Sequence, residues 1–142
     1  MFDTLPSQIG AGLTVLVVAF AFLKGDEPER IGAGAYVLGW FSSLLIQGDG
    51  AVGGTQWGMM AIDTIMLTVL VALAWKSRRS WPVWAAALQS LVVMSHVLTL
   101  VDIRPPAAAF VAVINLSGVG ILLVIAIGTF WAWQERCAAG LE

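Results

Sequence analysis

Two ionisable side chains, Asp63 and His96, stand deep inside long apolar stretches of this sequence. Groups of that kind are costly in apolar surroundings, so they mark a proton, ion or ligand site, or else a buried hydrogen bond between helices. Imidazole has the ordinary pKa nearest neutrality, and with a carboxylate beside it the pair can take up and release a proton. Gln89, His96 and Thr99 recur at i, i+7 and i+10, one stripe of a helix. Asn115, Ser42 and Ser43 add a carboxamide and two hydroxyls inside neighbouring apolar stretches. Two readings stand together. The cluster either handles protons, ions or a polar ligand, or it joins helices through hydrogen bonds, which average well under about 1 kcal/mol in membranes and serve register as much as strength.

The elements that must position these groups are five apolar stretches, 7–23, 31–47, 57–75, 81–101 and 107–133. Most are near the roughly 20 residues a helix needs to cross a hydrocarbon core about 30 Å thick. The third and fourth are joined by Lys76-Ser77-Arg78-Arg79-Ser80, whose cations cannot rest inside that core. Trp75, Trp81 and Trp84 flank this turn, as expected of rings at headgroup level. The expected fold is therefore all-α: one integral membrane domain of about five transmembrane helices in antiparallel hairpins. At helical rise, Asp63 lies roughly 9 Å, His96 roughly 7–8 Å and Asn115 about 12 Å from one end of that bundle, with Ser42 and Ser43 at a similar level.

Lys24, Arg30, Lys76, Arg78, Arg79 and Arg136 fall on one side of a five-span chain, and only Arg104 falls on the other. The positive-inside bias places that side, and the C-terminus, in the cytoplasm, with the N-terminus outside. Lys76, Arg78 and Arg79 are expected to set topology and to meet lipid headgroups. Between the first two stretches, Gly25 suits a helix C-terminal turn, and Asp26 with Glu29 fits a D-x-x-E form of the capping box. Pro106 suits the first turn of the last helix. Gly32, Ala35, Gly39 and Ser43 share one helical face, a seam for close packing within the chain or between copies. Gly48-Asp49-Gly50-Ala51-Val52-Gly53 matches G-x-G-x-x-G but lacks the strand–helix setting of a dinucleotide site, so it reads as a loop.

Several functions have no support in the composition. With 142 residues, 59% hydrophobic, 11% charged and mean hydropathy +0.89, the chain is far from soluble norms. A formal charge of −2 offers no nucleic-acid footprint. One cysteine, Cys137, rules out an intrachain disulfide, and no Cys/His spacing suggests a metal site. No catalytic constellation is present. Met59, Met60 and Met66 near Asp63 read as packing, and no cofactor is expected. Haem through His96, or a quinone against Tyr36 and Trp40, stays as a minor alternative; a bis-histidine haem would need a second copy.

The stretch Arg78-Arg79-Ser80-Trp81-Pro82-Val83-Trp84, with Gln89 and Ser95-His96 beyond it, resembles the central hairpin of small polytopic membrane proteins of bacteria. That resemblance implies residence in a bacterial inner membrane and carries no activity. The functional expectation is a structural or accessory subunit that assembles with copies of itself or with a larger membrane complex, surrounded by lipid. The alternative is a small proton- or ion-coupled transporter or channel using Asp63 and His96, or a redox component binding haem or quinone.

Overall fold

A computed structural model describes residues 5–48, 54–101 and 106–141. Within them the chain is all-helical: α1 (Leu5–Lys24), α2 (Glu27–Gly48), α3 (Gly54–Lys76), α4 (Trp81–Leu100) and α5 (Ala107–Ala138). Each helix packs on its sequence neighbour and α5 returns to α1, so the five close into a ring, with a further contact across it between α2 and α5. The α1/α2 turn, the α3/α4 turn and the end of α5 meet at one end of this ring, called the basic end here. The loop 49–53, which holds most of the G-x-G-x-x-G match, and the turn 102–105 with Arg104 lie outside the described residues.

Local sequence explains where the helices stop. Gly25 donates its N–H to the Ala21 carbonyl, and a Cβ on it would lie 2.4 Å from that same oxygen, so only glycine fits this turn. Glu29 accepts the Asp26 backbone N–H at 3.0 Å, the carboxylate half of a capping box. The Asp26 carboxylate itself goes elsewhere, to two arginines. The α3/α4 turn is tight because Arg78 takes φ 53°, a left-handed conformation unusual for a side-chain-bearing residue. Ser80 then stands at the N-cap position of α4 without a side-chain capping bond, and Pro82 lies in the first turn. Pro106 precedes α5 as its N-cap with extended ψ, not within the first turn as the sequence suggested, and its carbonyl accepts the N–H groups of Ala109 and Phe110 that open the helix.

Four helices run past their apolar stretches, α2 and α5 the furthest. α2 starts at Glu27 because the capping box and Pro28 are already helical, and α5 continues to Ala138 through Gln134–Arg136. Three helices contain segments long and apolar enough to span a membrane: Trp57–Lys76, Trp81–Leu100 and Ala108–Ala138. α1 contributes a shorter apolar segment, Gln8–Lys24.

Packing divides the ring lengthwise. The half toward the basic end is solid, built from Val17, Ala21, Ala33, Met66, Leu70, Leu73, Trp81, Ala85, Ile121, Leu122 and Ile125. Trp81 is its centrepiece. A Cβ on Gly32 of α2 would lie 2.5 Å from one edge of the indole, and a Cβ on Gly128 of α5 would lie 2.4 Å from the other. Small residues on two helices thus make the slot that a large ring on α4 fills. The outer surface, by contrast, is apolar: Leu16, Leu38, Leu45, Ile65 and Leu116 are 65–76% exposed and Trp75 is 92% exposed.

Candidate functional site

In the half of the ring away from the basic end the helices part around a cavity of about 690 Å³. All five contribute to its wall, through residues such as Thr14, Tyr36, Asp63, His96 and Asn115. Tyr36 marks its floor, where the phenol donates across the ring to the Gly118 carbonyl at 3.3 Å. Gly118 has room for that hydroxyl because it carries no side chain; a Cβ would stand 3.3 Å from it.

Asp63 and His96 meet on the wall of this cavity. His96 Nε2 lies 2.9 Å from Asp63 Oδ2, and Gln89 Nε2 donates to Asp63 Oδ1 at 2.9 Å and to the Asp63 carbonyl at 3.2 Å. Both carboxylate oxygens are therefore held, one by α4 at Gln89 and the other two turns further along at His96. The spacing of seven that placed Gln89 and His96 on one stripe is what lets them grip a single side chain on α3. Gln89 and His96 are each 4% exposed, whereas the Asp63 side chain is 22% exposed and keeps one face on the cavity.

The two ring nitrogens stand in different surroundings: Nε2 makes the contact with Asp63, and Nδ1 does not. Nδ1 is buried and has no hydrogen-bonding partner among the described residues, while the ring edge packs against Phe110 at 5.7 Å. A carboxylate in contact with one ring nitrogen orients the imidazole and holds it in one rotamer. Nε2, in contact with Asp63, is not available to a haem iron.

The remaining predicted cluster residues divide. Asn115 and Ser43 line the cavity beside Asp63, Gln89 and His96, although Ser43 donates to its own helix at the Gly39 carbonyl. Asn115 is otherwise exposed, and no hydrogen bond ties it to the dyad. Thr99 is not on the cavity wall: its hydroxyl returns to the Ser95 carbonyl, as threonine hydroxyls in helices commonly do. Ser42 is half-buried and also off the wall. The small-residue face of α2 packs inside the ring, Gly32 on Trp81 and Gly39 on Ile62, with Ala35 against the core. Tyr36, Trp40, Met59 and Met66 line the cavity, while Met60 does not.

The basic end holds a second cluster that sequence reasoning missed. Glu29 is fully buried, and its carboxylate accepts the Trp81 indole N–H at 2.7 Å. Arg79 reaches Asp26 at 2.8 Å, Glu135 at 3.2 Å and Glu29 at 3.6 Å. Arg136 binds the other oxygen of Asp26 and the Lys24 carbonyl. Arg79 was expected to face headgroups; it turns inward because three carboxylates converge on it, and only Arg78 and Lys76 of that trio are exposed. The available signal was charge of both signs at three turns that topology places at one end. Among the described residues no group of three or more His, Cys, Asp or Glu side chains is arranged to hold a metal ion.

No protein-family model matches the chain, and neither a curated protein nor a solved structure is significantly similar to it.

Proposed function

We propose that this chain is a five-span integral membrane protein that exchanges protons at the Asp63–His96 dyad, alone or together with a small polar ligand held in the adjoining cavity. In class it is a small proton-linked transporter or channel. The observation that carries this reading is the Gln89–Asp63–His96 chain on the wall of a cavity, with His96 Nδ1 left over. A pair that served only to glue α3 to α4 would be expected in dense packing with its polar atoms satisfied. A buried polar atom without a partner costs about 1–3 kcal/mol; two are present among the described residues, Trp133 Nε1 and His96 Nδ1, and of the two residues only His96 lines the cavity.

Membrane residence is supported by the apolar outer surface and by three helices of spanning length. With the basic end in the cytoplasm, the cavity lies in the outer half of the bilayer and the packed half beneath Tyr36 separates it from the inside. Gly32 and Gly39 of the small-residue seam, expected to pack within the chain or between copies, pack within it on Trp81 and Ile62.

The test is proton flux in proteoliposomes carrying an internal pH-sensitive dye. Wild type is expected to dissipate an imposed pH gradient at least tenfold faster than protein-free vesicles. Asp63→Asn and His96→Leu should lose that flux while still folding to a monodisperse helical protein, with melting temperature lowered only by the lost hydrogen bond. Wild-type vesicles as tight as empty ones, or unchanged flux in both variants, would sink the proposal. Stoichiometric co-purification of another membrane protein would then point back to the accessory role.

A further inference from the structure

The basic end carries a second recess, and its chemistry differs from that of the dyad cavity. A groove of about 590 Å³ runs between the start of α4 and the last turns of α5. One end is polar, formed by Ser77, Arg78, Ser80 and Glu135; the other is apolar, formed by Val124 and Ile127, with Trp84 and Trp131 at its sides. From Glu135 to Val124 the groove follows α5 for about 16 Å at helical rise. Trp84 and Trp131 are 65% and 58% exposed, so it opens outward and not into the ring.

The cations beside it are not equivalent. Arg79 is committed to Asp26, Glu29 and Glu135, which also neutralises the one carboxylate on the groove. Arg78 is exposed and has no ion pair or hydrogen bond among the described residues. Ser80 makes no side-chain capping bond, and Ser77 uses only its oxygen, accepting the Arg79 N–H at 3.4 Å. One free guanidinium and two hydroxyl donors thus stand over an apolar channel flanked by indoles. That order, anion-seeking at the rim and apolar below, matches a phospholipid standing at the membrane interface.

We propose that this groove holds one anionic phospholipid, its phosphate on Arg78 and the two serines and its acyl chain along Val124 and Ile127. The inference rests on the membrane reading, with the basic end at a lipid–water interface, and is independent of proton exchange at Asp63 and His96. A zwitterionic headgroup brings a phosphate with its own cation attached, so it gains less from Arg78 than a net anion does.

Native mass spectrometry of the detergent-solubilised protein tests it, with phosphatidylglycerol and phosphatidylcholine of identical acyl chains titrated in parallel. One phosphatidylglycerol should be retained at least about fivefold more tightly than phosphatidylcholine, the scale of one interfacial arginine. Arg78→Ala should remove that preference, and Arg30→Ala, another exposed cation near the same end, should leave it intact. Ile127→Trp, which fills the apolar channel, should weaken both lipids, and inorganic phosphate should displace neither. Equal retention of the two lipids, equal effects of Arg78→Ala and Arg30→Ala, or displacement by phosphate would overturn the groove. Liposome flotation separates the levels: protein that fails to float refutes the membrane reading itself, whereas floating protein without lipid preference refutes only the groove.

Discussion

Asp63 is the residue on which the outer half of the molecule turns, because both of its oxygens are spoken for by α4. Gln89 holds Oδ1 and His96 holds Oδ2, so neither the carboxylate nor the ring can swing without breaking a hydrogen bond. Mutual support of this sort is a coupling, and a double-mutant cycle measures it. Asp63→Ala and His96→Ala should each destabilise the detergent-solubilised fold, and the double variant should cost less than their sum by about 0.5–1.5 kcal/mol, within the range found for hydrogen bonds between membrane helices. Additivity within error in urea or thermal unfolding would show that the pair does not interact, and the dyad would fall with it.

At the scale of elements, the glycines separate into those that hold helices together and those that do not. Gly128 sits where α5 meets the Trp81 indole, which cannot retreat: Glu29 holds its N–H and Gly32 backs its far edge. Gly12 of α1 has nothing within 4 Å of where a Cβ would go. Gly128→Ala should therefore lower stability by about 2–3 kcal/mol through overpacking, and Gly12→Ala should change it by less than about 0.5 kcal/mol. Thermal unfolding of the two variants side by side decides this. Equal melting temperatures would mean that Trp81 is not wedged between α2 and α5. The same slot explains why α4 enters the ring at Trp81: its first residue is anchored before the helix begins to run outward along α3 and α5.

At the scale of the whole molecule, the ring is apolar outside and carries its polar atoms inside or at one end. A soluble bundle has the reverse arrangement, since water rewards exposed charge and penalises exposed leucine. The ion pairs at the basic end tie the α1/α2 turn, the α3/α4 turn and the end of α5 into one unit. Removing one partner from such a partly buried network leaves uncompensated charge. Orientation in the bilayer has a direct test. In a Cys137→Ser background, Gly50→Cys and Arg104→Cys should label with an impermeant maleimide applied to intact cells, and Ser77→Cys should label only after lysis. Labelling of position 77 from outside with 50 and 104 protected would invert the proposed topology.

Helix content and number were legible because apolar runs of this length, broken by Gly25, the basic turn at 76–80 and the prolines at 105 and 106, leave few alternatives. Helix ends were legible only where a local device was written in the chain, as with Gly25 and the Asp26/Glu29 pair. The meeting of Gln89 and His96 with Asp63 was partly legible. Their spacing put two of them on one stripe, and depth put the third at the same level, but which way α3 faces is a matter of packing. Thr99 fits the same stripe and Ser42 a similar depth, yet neither reaches the cavity, because helical periodicity specifies a face without specifying what stands opposite. The closure of α5 onto α1, the cavity this leaves, and the inward turn of Arg79 were decided by tertiary structure alone. Each depends on contacts between residues 50 or more positions apart, and nothing in local sequence records which distant carboxylates a guanidinium will find.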